Sequence, residues 1–296
     1  MSELVSGQKI AVWRYEAKEA AIAASVSPQE VDWLLQEVTE LDSLALRLES
    51  FKERSQLKSD YSLPQLAQLW QKRLTAKVPV QYLVGKSPWR NFLLNVSPDV
   101  LIPRPETECL IDIAVDAVKD VPNLREGHWV DLGTGSGAIA LGLAEVFPPA
   151  TIHGVDFSKA ALEVAEANAN QLGFHNVEFY RGFWWEPLVH LKGKVAGMVS
   201  NPPYIPTTLL EKLQPEVAKH EPHLALNGGD DGLDCIKYLI STAPDYLCSG
   251  GVFLIEMMMG QGKEVKDILQ RQGSYKNISI IADLAGVERF ALAYCV

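Results

Sequence analysis

The chain has 296 residues, of which 47% are hydrophobic and 22% charged, with a net charge of −10. That length accommodates one large domain or two ordinary ones around a buried core. The acidity argues against a broad nucleic-acid surface, which needs clustered Lys and Arg, so no direct nucleic-acid binding is expected. Cys109, Cys235, Cys248 and Cys295 form no CxxC pair and no metal-ligand spacing; they read as free thiols in a reducing compartment, and no metal is expected. The first fourteen residues carry dispersed charges without an apolar signal core, and no run approaches the ~20 apolar residues of a membrane span. A cytoplasmic protein with no membrane partner is expected.

Residues 6–75 read as helical. Ser27-Pro28-Gln29-Glu30 has the form of a capping box with Pro at the first helical position, and Val31, Leu34, Leu35, Val38 and Leu41 then fall on one face. Ser62-Leu63-Pro64-Gln65 repeats the start signal ahead of Leu66, Leu69, Trp70 and Leu74. Residues 1–77 are therefore expected to form a small helical bundle, either a packing appendage or a substrate-docking module. From residue 78 the texture changes. Val80, Tyr82 and Val84, then Phe92, Leu94 and Val96, alternate, which predicts a hairpin connected through residues 85–91 or a pair of short extended segments. Pro103 and Pro105 fix an extended turn before a helix that starts near Cys109. Residues 78–108 read as hairpin and interdomain linker.

Residues 109–296 show a β-α-β-α pattern. Strands are expected at residues 129–132, 151–155, 177–180, 195–200 and 252–255, with helices at 138–147, 160–172 and 262–272. Two final strands, 278–281 and 289–294, lack an intervening helix and are expected to pair antiparallel. This alternation predicts an α/β fold with a mostly parallel sheet and ligands at the carboxyl ends of its strands.

Asp131-Leu132-Gly133-Thr134-Gly135-Ser136-Gly137 joins the first of these strands to its helix. Glycines there allow a tight turn and close approach of backbone to a ligand. Ala138 stands where the dinucleotide fingerprint has its helix-packing residue, so that position alone does not exclude NAD. Asp131 would repel a pyrophosphate but suits an ammonium or sulfonium. Asp156, at the end of the next strand, suits a ribose diol, although it also sits where a helix cap would. The pair favours S-adenosylmethionine over NAD. Trp184 and Trp185 follow the third strand, where exposed rings would sandwich a base and buried ones would plug the core.

Asn201-Pro202-Pro203-Tyr204 follows the fourth strand. Methyl transfer from a sulfonium is an in-line displacement that depends on alignment. An amide nitrogen is a poor nucleophile, and two acceptors aimed at its hydrogens would orient it and favour the lone-pair-bearing geometry. The Asn201 side-chain carbonyl and the Pro202 main-chain carbonyl are the natural acceptors, held on a proline-stiffened backbone, and Tyr204 offers a ring for stacking on a planar amide. No general base is evident.

These residues resemble the signature of amino-group methyltransferases acting on adenine, cytosine or glutamine amide. The flanking stretches are similar to one branch, the release-factor glutamine methyltransferases (the PrmC/HemK family). They are Pro79-Val80-Gln81-Tyr82-Leu83-Val84-Gly85, Leu101-Ile102-Pro103-Arg104-Pro105-Glu106-Thr107-Glu108, Val199-Ser200 with Ile205-Pro206 around the substrate loop, Glu221-Pro222, and Gly228-Gly229-Asp230-Asp231-Gly232-Leu233. The resemblance covers nearly the whole chain. It implies a Rossmann-like class I methyltransferase domain with a seven-stranded sheet behind a helical domain. It also implies methylation of the glutamine in the Gly-Gly-Gln loop of peptide chain release factors, with S-adenosylhomocysteine as the second product. Carried over by position, Gly133, Thr134, Gly135, Ser136, Gly137, Asp156 and Trp184 would contact the cofactor. Asn201, Pro202, Pro203 and Tyr204 would hold the glutamine, with Asn201 near the methyl donor as well. The chain departs from the family at Phe183, where an acidic residue is common, and at Met258, where glycine is usual. The competing readings are a DNA or RNA adenine methyltransferase and a cofactor-binding protein without turnover.

Overall fold

Apolar residues at helical spacing build the first core. Ile10, Ala17 and Ala21 of α1 (Gly7–Ala23), Val31, Leu34, Leu35 and Val38 of α2 (Gln29–Val38), and Leu66 and Trp70 of a later helix, Leu63–Thr75, are buried together. The computed structural model describes residues 3–296, and the chain divides into two compact units between Gly85 and Lys86. In the first unit α3 (Ser43–Leu48), α4 (Leu63–Thr75) and α5 (Val80–Val84) complete the bundle. The Trp70 indole N–H donates to the Ala17 carbonyl at 3.0 Å, so the one polar atom of that ring is satisfied inside the core.

Three expectations for this unit need correction. A small antiparallel pair, β1 (Glu3–Val5) with β2 (Leu57–Ser59), interrupts the all-helical region. The capping box at Ser27 does not close: Ser27 Oγ accepts the Gln29 N–H at 3.3 Å, but the Glu30 carboxylate is taken by the Arg73 guanidinium. At Ser62 the reciprocal arm does form, with Gln65 Oε1 accepting the Ser62 N–H at 2.8 Å. Residues 80–84 are helix, not strand. Gly85, at φ 73°, ends that helix, and the hairpin lies later, in β3 (Lys86–Trp89) and β4 (Phe92–Asn95).

The second unit is a seven-stranded sheet between helices. Its strands are β5 (His128–Leu132), β6 (Thr151–Asp156), β7 (Val177–Arg181), β8 (Val195–Ser200), β9 (Leu247–Glu256), β10 (Tyr275–Ala282) and β11 (Glu288–Cys295). Their spatial order is β10-β11-β9-β8-β5-β6-β7. The inner pairs are parallel; β11 runs antiparallel to β10, as expected for strands joined without a helix, and also antiparallel to β9. Val195–Ser200 is buried at every position, which is why it reads as a continuous apolar run.

The helices are α6 (Cys109–Ala117), α7 (Pro122–Arg125), α8 (Ala138–Val146), α9 (Lys159–Leu172), α10 (Pro215–His220), α11 (Asp234–Thr242) and α12 (Gly262–Gln272). Sequence reading missed α10 and α11, although Leu233, Ile236, Leu239 and Ile240 carry a helical period and all are buried. The chain leaves β5 toward β6 and β7 on one side and returns to β8 and β9 on the other. The crevice above the carboxyl ends of β5 and β8 is thus a topological switch point, where open α/β sheets bind ligands.

Candidate active site

A cavity of ≈ 480 Å³ opens at that switch point, a size typical of sites that enclose a drug-sized ligand. Its walls come from the Pro-fixed segment around Pro103 and Arg104, from Gly133–Ser136, from Asp156–Ser158 at the end of β6, from Phe183 and Trp184, from Asn201 and Pro203, and from Pro222 to Asn227.

The glycine loop is held from beneath. The Gly133 and Thr134 N–H groups both donate to the Val155 carbonyl, at 2.9 and 3.0 Å, and Asn168 Nδ2 donates to the Ser136 carbonyl at 2.9 Å. Gly135 has φ 53°, and a Cβ there would meet no atom within 4 Å, so its backbone faces open space. Gly137 does a different job: a Cβ there would lie 3.1 Å from Ala165 Cβ, so this glycine seats α8 against α9 and does not line the cavity.

Asp131 is fully buried and is absent from the cavity wall. Its Oδ2 accepts from Thr134 Oγ1 at 2.6 Å and from the Ala140 N–H at 3.0 Å, while Oδ1 has no partner. The expectation that this carboxylate faces a ligand cation directly is corrected: it braces the loop from below. Burial pushes the Asp131 carboxyl up to about 7, against the two donors that favour its charged form. The folded state therefore binds a proton that the unfolded chain has already released above the ordinary 3.8, and stability falls as pH rises from there to about 7. In urea titrations across that window wild type should lose stability relative to Asp131→Asn, which carries no such proton; parallel curves would contradict the assignment.

Asp156 stands at the rim. Its Oδ2 accepts the Gly135 N–H at 2.9 Å and its Oδ1 the Ser158 N–H at 2.8 Å, while Ser158 Oγ caps α9 by accepting the Ala161 N–H. The cap belongs to Ser158, and Asp156 ties the glycine loop to β6. Burial raises the Asp156 carboxyl, and the backbone donors oppose that shift.

The aromatic pair splits. Trp184 and Trp185 are both buried, yet only one of them plugs the core. Trp185 stacks on Tyr246 at 4.3 Å between ring centroids and is the core plug, while Trp184, at φ 52°, lines the cavity. Phe183, 46% exposed, lines it too and meets Trp184 edge-on at 5.9 Å.

Of the four residues after β8, Asn201 and Pro203 line the cavity. Pro202 is buried, and the Tyr204 ring packs against the core with its hydroxyl donating to Glu256 Oε1 at 2.9 Å. Tyr204 is thus an anchor of the loop and not a free stacking surface. Burial beside the Glu256 carboxylate pushes its phenol well up. The loop is fixed at several further points. Ser200 Oγ donates to the Leu132 carbonyl at 2.5 Å, and Gln261 Nε2 donates to the Tyr204 carbonyl at 3.2 Å and to the Gly232 carbonyl at 3.3 Å. Gln261 also takes the Met258 N–H on its Oε1 at 2.9 Å, which closes the methionine turn with a side chain; Met257 is core and Met259 is exposed.

Sequence reasoning missed two features that the Pro-fixed segment contributes. Arg104 Nη2 lies 2.7 Å from both oxygens of Glu221, whose side chain is almost wholly buried, so the segment before α6 is clamped to the one after α10. Thr107, also buried, donates to Glu256 Oε2 at 2.7 Å and accepts from Asn201 Nδ2 at 3.2 Å. Thr107 lies in the Leu101–Glu108 stretch and Glu256 directly follows the strand expected at 252–255, but nothing in their local pattern pairs them. Among the described residues there is no group of His, Cys, Asp and Glu that would hold a metal ion, and no helix long and apolar enough to cross a membrane.

Comparison with known proteins gives this geometry its context. A family model for a methyltransferase domain matches residues 125–220, which include the glycine loop, Asp156 and Asn201 to Tyr204. The chain is 50% identical to a release factor glutamine methyltransferase of Synechocystis sp., over 98% of this chain and 97% of that one. It is 47% identical to one of Thermosynechococcus vestitus, over 90% of each. Among solved structures, the hMettl16 catalytic domain in complex with an RNA hairpin shares the fold at a TM-score of 0.56 and 13% identity, with 88% of each chain covered. The fold is that of class I S-adenosylmethionine-dependent methyltransferases, and the chain belongs to the release factor glutamine methyltransferase family.

Proposed function

We propose that this protein transfers a methyl group from S-adenosylmethionine to the side-chain amide nitrogen of the glutamine in the Gly-Gly-Gln loop of peptide chain release factors, leaving S-adenosylhomocysteine. The observation that carries the reading is the meeting, in one cavity, of a glycine loop braced by Asp156 and of the Asn201 amide held in one direction by Thr107.

The residues present fit an adenosyl cofactor. The open backbone at Gly135 admits close approach, Asp156 supplies acceptors for a diol, and Trp184 and Phe183 offer ring faces for a base. Phe183 offers no carboxylate to an adenine amine, so recognition there rests on stacking and backbone. Gly133, Thr134, Gly135, Ser136, Asp156 and Trp184 would hold this cofactor, which supplies an electrophilic methyl on a sulfonium. Asp131 and Gly137 would contribute by shaping the loop and not by touching it.

The chain's own part in transfer is to present an amide nitrogen in line. With Nδ2 committed to Thr107, Asn201 keeps its Oδ1 for a substrate N–H. The second acceptor in this reading is the main-chain carbonyl of Pro202, a residue that is itself buried beside the cavity-lining Asn201 and Pro203, on a backbone that lacks an N–H and has a fixed φ. A nitrogen with both hydrogens so held is oriented as its lone pair is drawn out of conjugation, and its proton leaves after methylation, when it is strongly acidic. Pro203 and Tyr204 hold that backbone in place. The helical unit is read as the part that docks the release factor; Val12, Tyr15 and Ile22, exposed along α1, fall within one face.

Two measurements test this reading. Incubation with labelled donor and either a release factor or DNA should label the release factor; label confined to DNA would refute it. Asp156→Asn should weaken cofactor binding about 10- to 100-fold by calorimetry, because one of its two backbone donors then faces an NH₂ and the charged acceptor for the diol is lost. Unchanged affinity would remove Asp156 from the cofactor site.

A further inference from the structure

We infer that Glu256 is a positioning residue: through the Thr107 hydroxyl it fixes which end of the Asn201 amide faces the cavity. The inference deepens the proposed function and rests on it only for its kinetic test.

Hydrogen-bond direction fixes the orientation of the Asn201 amide. Glu256, the last residue of β9, is completely buried, and its two oxygens are each met by a hydroxyl, Tyr204 at 2.9 Å and Thr107 at 2.7 Å. Both hydroxyls donate to it, one to each oxygen; in its ionised form the carboxylate only accepts, and each hydroxyl then spends its single proton there. Thr107 Oγ1 then has nothing left to donate and meets Asn201 as an acceptor, at 3.2 Å. Only the NH₂ end of the Asn201 amide can answer, and its carbonyl oxygen is directed away from Thr107. Asn201 lines the cavity, so the end left for the substrate is the acceptor end. An amide nucleophile needs that acceptor; the opposite orientation would set NH₂ against NH₂.

The other charged groups about Glu256 are Glu106 and Arg289. Burial, the largest effect, pushes the Glu256 carboxyl up, against the Thr107 and Tyr204 donors; Glu106 adds to the rise and Arg289 opposes it. The buried charge thus costs desolvation, and its return is orientation: a carboxylate sets the sense of a chain of side chains that includes residues 149 positions apart.

The test compares Thr107→Val, Thr107→Ser and Glu256→Met. Valine copies threonine's shape without the hydroxyl, and serine keeps the hydroxyl without the shape. A packing role would tolerate Val better than Ser; the relay requires the reverse. With a release factor as substrate, Thr107→Val and Glu256→Met should lower kcat about 100-fold, with KM and the calorimetric Kd for S-adenosylmethionine little moved, and Thr107→Ser should stay near wild type. Wild-type kcat in Thr107→Val, or equal damage in Thr107→Ser, would overturn the inference.

A second readout needs no release factor. With asparagine side chains labelled with nitrogen-15, the Asn201 amide protons should show a nuclear Overhauser contact to the Thr107 methyl in wild type and lose it in Glu256→Met. Absence of that contact in wild type, or its persistence in Glu256→Met, would overturn the relay. Its presence without methylation of a release factor would refute the proposed substrate alone.

Discussion

Replacing Asn201 with alanine should lower the rate of methyl transfer about 100- to 1,000-fold while leaving the calorimetric affinity for S-adenosylmethionine within a few-fold of wild type. The size follows from where the lost interaction acts. In the proposed mechanism the Asn201 carbonyl oxygen meets a substrate N–H that becomes more acidic as the C–N bond forms, so the hydrogen bond would strengthen toward the transition state and its loss would fall on kcat. Cofactor affinity should be kept because the residues proposed to hold the cofactor, Gly133–Ser136, Asp156 and Trp184, are held by contacts of their own. These are the Val155 carbonyl under the loop, Asn168 behind Ser136 and Asp156 on Gly135. Asn201→Ala leaves Thr107 bonded to Glu256, so the fold loses one exposed-side partner and no buried charge is stranded. Near-normal turnover in this variant would remove Asn201 from the chemistry.

Gly228→Ala is the second large effect, and it arises outside the cavity wall. A Cβ at residue 228 would lie 2.7 Å from the Gly232 carbonyl oxygen, 2.8 Å from the Pro203 carbonyl oxygen and 2.8 Å from Tyr204 Cα. All three are backbone atoms, two of them in the substrate loop, so no side chain can swing aside to relieve the clash. The same glycine is stitched to the loop by its N–H, which donates to the Ile205 carbonyl at 2.9 Å, and by the return bond from the Ile205 N–H to Leu226. Either those bonds stretch or the loop carries Pro203 and Tyr204 away from the Pro202 and Asn201 acceptors. A displacement of about 1 Å at a reacting centre costs about 100-fold in rate. We expect kcat for Gly228→Ala to fall by that order, with cofactor affinity spared, and a crystal structure of the variant to show the loop shifted. Wild-type kcat would mean that the loop's position is not what limits transfer.

Much of this site was legible before the structure because its parts sit at the ends of strands with strong local signals. Val195–Ser200 is a continuous apolar run, and the polar residues that follow such a strand must lie at the sheet's carboxyl edge. The glycine loop and Asp156 were placed by the same reasoning. What was not legible depends on direction and on distance in sequence. Asp131 ends a strand beside the loop, but whether its carboxylate looks into the cavity or down into the core depends on the strand's pleat, and it looks down, onto Thr134 and the Ala140 N–H. Trp184 and Trp185 are neighbours of the same type, and the backbone at Trp184 sends one ring to the cavity and the other onto Tyr246. Val80, Tyr82 and Val84 satisfy a strand's alternation, but Val80, Leu83 and Val84 satisfy a helix's spacing equally well, and five residues are too few to choose. The Thr107–Glu256 contact joins segments 149 residues apart, which meet only once the sheet has assembled and α6 packs on β9.

The account stands on one substrate assignment, and mass spectrometry of a release factor tests it most directly. After incubation with the purified protein and S-adenosylmethionine, digestion should yield a peptide carrying one added methyl on the glutamine of the Gly-Gly-Gln loop. The same peptide should remain unmodified with Asn201→Ala. An unmodified glutamine with the wild-type protein, or a methyl on another residue, would contradict the account.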